Sequence, residues 1–245
     1  MSYRLRLILI ICFGGQTLFA QTNSQLRKNL SGLIFKINNA DSLGIDPAAL
    51  SHINQEFEMA LIKYARVSPK ALNEALHAMN AVFSDDNNFC IYSWDTNLGG
   101  TQHFYESAFL YSTPNGLKLK LDTLSDKEIP TRCYDKVYTI KSGGQPFYLA
   151  TYNSVVCLGE YYDGIQGFEI ENNTLNDNVK VIKTTRGLTN KLSYHYFQTM
   201  DNDNSFLYDS KSQTISFPIV DKSLHKTDGT ITYKFTGRYF EKVKN

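Results

Sequence analysis

The chain has 245 residues, of which 42% are hydrophobic and 20% are charged, and its formal net charge at pH 7 is +1. A chain this close to neutral lacks the basic surplus of a nucleic-acid-binding protein, and it contains no basic amphipathic helix of the kind that binds a membrane surface. Aromatic residues make up 13% of the chain, with 16 tyrosines among them, and this richness favours a protein built mainly of β-sheet.

Residues 1–20 have the pattern of a secretory signal peptide. Arg4 and Arg6 precede a short apolar run over residues 7–13, and Ala20 supplies a small residue for cleavage. The run is shorter than the roughly 20 residues needed to cross a bilayer, and no second long apolar run follows. Removing Arg4 and Arg6 from the 25 basic residues leaves 23, against 24 acidic residues. We therefore expect cleavage near Ala20, export to the periplasm or the extracellular space, no membrane span and no nucleic-acid partner.

Three cysteines follow the predicted cleavage site: Cys90, Cys133 and Cys157. An exported compartment permits disulfides. Three cysteines allow three different single disulfides, and each of these leaves one free thiol. The alternative is three free thiols that pack as small hydrophobic residues, because each lies in an apolar or aromatic run. No Cys or His spacing matches a zinc site, so we expect neither a metal nor another cofactor.

A helical segment is predicted for residues 21–82. Apolar residues recur there at intervals of three and four, which is the spacing of one helix face. Asp46-Pro47 and Ser68-Pro69 each combine a capping residue with a proline suited to the first helical turn. These signals predict three helices, whose apolar faces are Leu26, Leu30, Leu33, Ile34 and Ile37, then Leu50, Ile53, Phe57, Leu61 and Tyr64, then Leu72, Leu76 and Met79.

Residues 83–245 form the predicted β domain. They contain about twelve short β-rich runs, separated by turn residues such as Pro-Asn-Gly and Ser-Gly-Gly. Asp163-Gly164 and Asp228-Gly229 are both interpreted as hairpin loops. No helical pattern interrupts the runs, so we expect antiparallel neighbours. The predicted fold is α+β, with the helical segment followed by a large antiparallel β-meander that is either propeller-like or a sandwich.

The run "FCIYSWDTNLGGTQHFY" at residues 89–105 contains the single tryptophan of the chain. It is interpreted first as a strand, a loop and a return strand. Asp95 is expected to accept a hydrogen bond from a backbone N–H two residues on, and Gly99-Gly100 to supply backbone with positive φ. Trp94 is then a core anchor.

The same run is the leading candidate for ligand contact. The hairpin register can bring His103 near Asp95, and such a pair orients an imidazole as a general base. No nucleophile accompanies it, because Ser93 points away from Trp94 and no GxSxG sequence occurs. We therefore predict no catalytic residue, and candidate ligand contacts at Trp94, Asp95, His103 and Tyr105.

Three other candidates are assigned structural roles. The sequence "DNDNS" at residues 201–205 lacks the Gly and Glu that a calcium loop requires and is interpreted as a polar hairpin tip. Glu169 and Glu171 share a strand face at a separation that glycosidases use, but they are interpreted as the solvated face of an edge strand. His195, between two tyrosines, is interpreted as a surface or core residue.

Three stretches carry a resemblance to known sequences: "NNFCIYSWDTNLGGTQHFY", "GFEIENNTLNDNVKVIKT" and "TYKFTGRYFEKV". With them the chain resembles a group of uncharacterised exported proteins of Bacteroides-like bacteria, in which an aromatic strand ends in Ser-Trp-Asp-Thr and continues through Gly-Gly-Thr. These motifs are residues 93–96 and 99–101 here. The resemblance covers most of the region from about Ala81 to the C-terminus and is weaker over the helices. It implies export and a β-rich class, without an activity. Ser42 and Thr123 lie in the short Asp-Ser/Thr-apolar pattern that such bacteria use for O-glycosylation.

These observations predict an exported, non-catalytic binding or structural protein whose partner is a glycan or an envelope protein. Aromatic faces stack on the C–H faces of sugars, while Asp and Asn side chains bind sugar hydroxyls. The alternative is a hydrolase acting on an envelope or dietary polymer. Four observations would favour that alternative: a deep pocket, contact between Asp95 and His103, a carboxylate pair across a cleft and a raised carboxylate pKa.

Overall fold

The computed structural model describes most of the chain, including residues 24–123, 131–142, 144–157, 159–197 and 206–243. The predicted signal peptide at 1–20 and the "DNDNS" run at 201–205 lie outside these residues. Helices near the N-terminus are followed by many antiparallel strands, with 23% helix and 47% strand, so the predicted α+β class is confirmed. The chain divides into two compact units, one ending at Met79 and one beginning at Asn80.

The described part of the first unit contains three helices, as predicted: α1 (24–38), α2 (Pro47–Val67) and α3 (Pro69–Ala78). The Asp46 side chain accepts a hydrogen bond of 2.9 Å from the Ala49 N–H and so caps α2, while Pro47 occupies the first helical turn. Ser68 both ends α2 and precedes α3, and its side chain makes no capping bond. Among the described residues, no helix is long and apolar enough to cross a membrane.

The second unit is built of β-strands. Within its described residues the strands are β1 (Val82–Phe83), β2 (Phe89–Asp95), β3 (Tyr105–Thr113), β4 (Gly116–Asp122), β5 (Cys133–Ile140), β6 (Phe147–Cys157), β7 (Glu160–Glu171), β8 (Thr174–Asn176), β9 (Ile182–Thr184), β10 (Gly187–Thr189), β11 (Lys191–Phe197), β12 (Leu207–Asp209), β13 (Thr214–Val220), β14 (Lys226–Phe235) and β15 (Phe240–Lys242).

These strands form three sheets. Sheet A has the order β1-β2-β3-β4, and sheet B has the order β11-β7-β6-β5 with β8 paired to β7. Sheet C has the order β10-β9-β15-β14-β13-β12. Neighbours are antiparallel except β15 and β9, which pair in parallel. The long antiparallel hairpins that join β2 to β3 and β6 to β7 form the frame of the candidate site.

Sheet B lies between the other two sheets, and strand β6 shows this most clearly. Phe147 and Leu149 belong to a core shared with sheet C, whereas Tyr148 and Ala150 belong to a core shared with sheet A. Both faces of β6 are therefore apolar, which removes the usual alternation of a half-solvated strand. The arrangement is sandwich-like, with no closed barrel among the described residues.

The prediction of a hairpin loop at Asp163-Gly164 is wrong, because these residues lie inside β7. A Cβ atom on Gly164 would overlap the ring of Tyr152 on the neighbouring strand. The glycine is therefore a site of close packing rather than a turn. Asp163 is buried, and its carboxylate accepts hydrogen bonds from Tyr194 at 2.9 Å and Tyr196 at 3.1 Å.

Two further expectations are corrected by the strand order. Asp228-Gly229 lies inside β14 and is therefore not the predicted hairpin loop. The Glu169–Glu171 segment belongs to β7, which pairs with β6 on one side and β8 on the other, and so it is not an edge strand.

Candidate functional site

The loop after β2 is organised by the carboxylate of Asp95. Its Oδ1 accepts a hydrogen bond of 2.9 Å from the Asn97 N–H, which forms the predicted turn. Asn97 adopts a left-handed φ of 55°, a conformation that Asn tolerates better than most residues. Thr96 closes the loop on the other side, because its N–H and its hydroxyl both donate to the Phe104 carbonyl at 2.9 Å.

Two glycines make the loop possible, for different reasons. A Cβ atom on Gly99 would overlap the backbone carbonyl oxygen of Gln102, so the loop closes only around a residue without a side chain. Gly100 has open space around it but a φ of +63°. The expectation of positive φ therefore holds at Gly100, whereas Gly99 is required for close approach of the backbone.

The second oxygen of Asp95 holds His103, as the hairpin register allowed. His103 Nδ1 is in hydrogen-bond contact with Asp95 Oδ2. The backbone N–H of His103 donates to the Val155 carbonyl of β6 at 3.3 Å, so sheet B also fixes its position. The His103 side chain is 42% exposed and that of Asp95 is 19% exposed. A neutral imidazole that donates through Nδ1 presents Nε2 as an acceptor, and no described residue pairs with that atom.

Tyr105 completes the cluster on the return strand. Its ring stacks on the His103 imidazole, with centroids 5.9 Å apart and planes inclined by 12°. Burial and then the neighbouring Cys133 and Asp95 raise the pKa of Tyr105, which keeps its hydroxyl protonated. The Tyr105 N–H donates to the Thr131 hydroxyl at 2.8 Å. These contacts leave the side chains of His103 and Tyr105 little freedom to move.

Trp94 is separated from this cluster by burial. It is 3% exposed, and its ring stacks with that of Tyr92 at 6.1 Å. Trp94 is therefore the core anchor that the sequence predicted, and of the four candidate ligand contacts only Asp95, His103 and Tyr105 are positioned to reach solvent.

Groups that could act as a nucleophile beside His103 are already occupied or inactive. The Ser93 hydroxyl bonds to the Ser107 hydroxyl at 3.0 Å and accepts from the Tyr134 N–H at 3.1 Å. Burial, followed by the charges of Asp135 and Asp95, raises the pKa of the Cys133 thiol to about 11, so the thiolate is scarce at neutral pH. The pair at Asp95 and His103 thus has the geometry of an orienting dyad, and neither Ser93 nor Cys133 is an activated partner for it.

A second histidine–carboxylate pair lies on strands β7 and β11, and sequence reasoning missed it. His195 Nε2 lies 2.6 Å from Glu160 Oε1, and the imidazole stacks on Tyr162 with centroids 4.5 Å apart. The Cys157 thiol donates a hydrogen bond of 2.9 Å to Glu160, which lowers the pKa of this carboxyl group. Burial raises the same pKa, and the neighbouring His195 lowers it. Only the register between β7 and β11 unites these residues, so no local motif could reveal them.

Glu169 and Glu171 form a pair of a different kind. Burial first, and then a hydrogen bond with Glu171, raise the pKa of Glu169. Carboxyl groups that bond to each other leave no room for a glycosidic bond between them, so they do not match the arrangement of a glycosidase. The three described cysteines are free thiols, with Cys90 buried.

No group of three or more metal-binding side chains occurs among the described residues. Comparison with protein-family models, with curated proteins and with solved structures returns no match. The chemistry of the described side chains is therefore the basis for a functional proposal.

Proposed function

We propose that this chain is an exported, non-catalytic binding protein that contacts a glycan through Asp95, His103 and Tyr105. The contact between Asp95 and His103 is the observation that carries this proposal. It fixes a half-exposed imidazole on the ring of Tyr105, and the Nε2 atom of this imidazole accepts a hydrogen bond in the neutral tautomer that donates through Nδ1. Sugar hydroxyls donate to such an acceptor and sugar C–H faces pack on aromatic rings, and fixing the groups in advance lowers the entropy cost of binding.

A glycan array probed with the purified protein tests this proposal. We expect binding to a restricted set of hydroxyl-rich glycans and loss of that binding in His103→Ala. His225→Ala is the matched control, because His225 lies in a separate turn closed by Asp221. Absence of binding across a broad array would count against the glycan and leave an envelope protein as the partner.

The alternative of a polymer hydrolase is favoured by the same contact between Asp95 and His103, since the pair can orient a general base. It gains no support from Cys133, whose thiol is protonated at neutral pH, or from the bonded Glu169 and Glu171. Incubating the array ligands with the protein separates the two functions. Cleavage that is lost in His103→Ala would establish the hydrolase and overturn the non-catalytic proposal.

Export is part of the proposal and rests on the signal pattern of residues 1–20. The intact mass of the protein from its native host tests it, with the expectation of a chain that begins near Gln21. The full-length mass would contradict export by cleavage. A mass above that of the bare chain would indicate glycosylation, for which Ser42 in an exposed turn is the better placed residue because Thr123 is half-buried.

A further inference from the structure

A groove lies at the end of sheets A and B opposite to the Asp95 loop. It has a volume of about 650 Å³, which is within the usual range for small-ligand sites. The seven residues of β2 separate this end from Asp95, a distance of about 20 Å. The residues that line the groove are Asn88, Ser112, Thr113, Pro114, Gln145, Pro146, Tyr148, Ile170, Asn172 and Asn173.

None of the lining side chains carries a charge, and four of the polar ones are free to bind a ligand. Asn88 and Thr113 are already engaged, with Asp86 at 3.2 Å and with the Gly116 carbonyl at 2.8 Å. By contrast, no hydrogen bond to another described residue is made by the side chains of Ser112, Gln145, Asn172 and Asn173.

The groove is held open by contacts beneath its surface. The Tyr148 hydroxyl donates to Asp86 Oδ2 at 3.1 Å, which fixes the ring on the floor of the groove. Lys118 of sheet A donates to the Asn173 carbonyl at 2.8 Å and ties down the turn between β7 and β8. The unpaired amides therefore belong to a rigid frame. Asn173 Oδ1 is buried without a hydrogen-bond partner among the described residues, and such an unsatisfied oxygen is a candidate acceptor for a ligand hydroxyl.

We propose that this groove binds a short, uncharged oligosaccharide. Amide and hydroxyl side chains both donate and accept, as sugar hydroxyls do, whereas a charged ligand would find no ionised side chain in the lining. Pro114, Pro146 and Ile170 supply apolar surface for the C–H faces of the sugar. A peptide fits less well, because extended peptides pair with strand edges and the groove is built mainly from hairpin turns.

Titration calorimetry with maltotriose, cellotriose, xylotriose and triacetylchitotriose tests the proposal on the whole protein. We expect at least one of these to bind, and we expect about fivefold weaker binding for each lost hydrogen bond in Ser112→Ala and Asn172→Gly. Glycine is chosen at Asn172 because its φ is 50°, and Asn80→Gly at φ 62° is the matched control away from the groove.

Failure of all four probes to bind would overturn the proposal, as would binding that neither Ser112→Ala nor Asn172→Gly weakens. The result for His103→Ala keeps this site distinct from the function proposed above. If oligosaccharide binding is lost in His103→Ala but retained in Ser112→Ala and Asn172→Gly, the proposal for the groove is overturned and the function proposed for the Asp95 loop is not. Binding lost in the groove variants and retained in His103→Ala supports the groove, whatever the outcome at the Asp95 loop.

Discussion

Asp95 uses its two carboxylate oxygens for two tasks: Oδ1 closes its own loop, and Oδ2 holds the imidazole of His103. The shape of the loop and the orientation of the candidate ligand contact therefore depend on one side chain. A change that distorts the loop is expected to release His103 as well.

Substitution of the two loop glycines tests this dependence. Gly99→Ala places a Cβ atom against the Gln102 carbonyl, so the loop must open, at a cost of about 2 kcal/mol in the free energy of unfolding. Gly100→Ala has space for its methyl group and incurs only the left-handed penalty of about 1 kcal/mol. We expect the His103 ring signals in NMR spectra to move in Gly99→Ala and to stay in Gly100→Ala. Equal shifts in both variants would contradict the role assigned to Gly99.

The packing of Tyr152 on Gly164 predicts a strong coupling between these residues. Gly164→Ala is expected to destabilise the protein by about 3 kcal/mol, because the new methyl group overlaps the Tyr152 ring. In a Tyr152→Ala background the same change is expected to cost little, as measured by urea unfolding of the four proteins in the cycle. The same cost in both backgrounds would refute the overlap. Gly32→Ala, in α1 with open space around it, is the control and should stabilise by about 0.5–1 kcal/mol.

A buried charge pair joins sheet B to sheet C. Lys226 Nζ lies 3.4 Å from Asp163 Oδ2 and 3.7 Å from the centre of the Tyr196 ring, and both charged side chains are almost fully buried. Lys226→Met should cost about 3–5 kcal/mol, because it leaves the carboxylate buried without its cation. The exposed pair of Lys183 and Glu241 is the control, and Lys183→Met should cost far less than Lys226→Met because water screens an exposed pair. Urea unfolding measures both, and similar costs would show that burial does not strengthen the pair.

Asp86 predicts a pH dependence of stability. Partial burial raises its pKa, but hydrogen bonds from Ser84, Asn88 and Tyr148 outweigh burial and lower it below the usual 3.8. A depressed folded-state pKa stabilises the protein above the unfolded-state value, and this stabilisation is lost as the pH falls through the folded-state value. Asp86→Asn should therefore destabilise by no more than about 1 kcal/mol at about pH 7, because water screens this exposed carboxylate, and by less at about pH 3. An equal effect at both pH values would contradict the shift.

Tyr148→Phe provides the control for Asp86, since it removes one of the hydrogen bonds and leaves the carboxylate in place. It should destabilise the parent protein and have little further effect in Asp86→Asn. Chemical denaturation of the two single variants and the double variant measures this coupling.

The features that sequence reasoning predicted are local ones. The Asp46 cap, the Asx turn at Asp95 and the contact with His103 depend on residues no more than eight positions apart. The features that it missed depend on packing between distant strands. The dipeptide Asp163-Gly164 is typical of a turn, but the packing of Tyr152 on the next strand requires a glycine at position 164. Glu160 and His195 meet only through the register of β7 and β11, which composition does not specify.

The central claim is that Asp95 positions His103 as a ligand contact, and calorimetric titration of the strongest array glycan tests it most directly. We expect His103→Phe, which retains a ring beside Tyr105 but loses the Nε2 acceptor, to weaken binding by about tenfold. Asp95→Asn should weaken binding as well, through loss of the orienting carboxylate, while His225→Ala binds as the parent protein does. Undiminished binding by His103→Phe would contradict the claim.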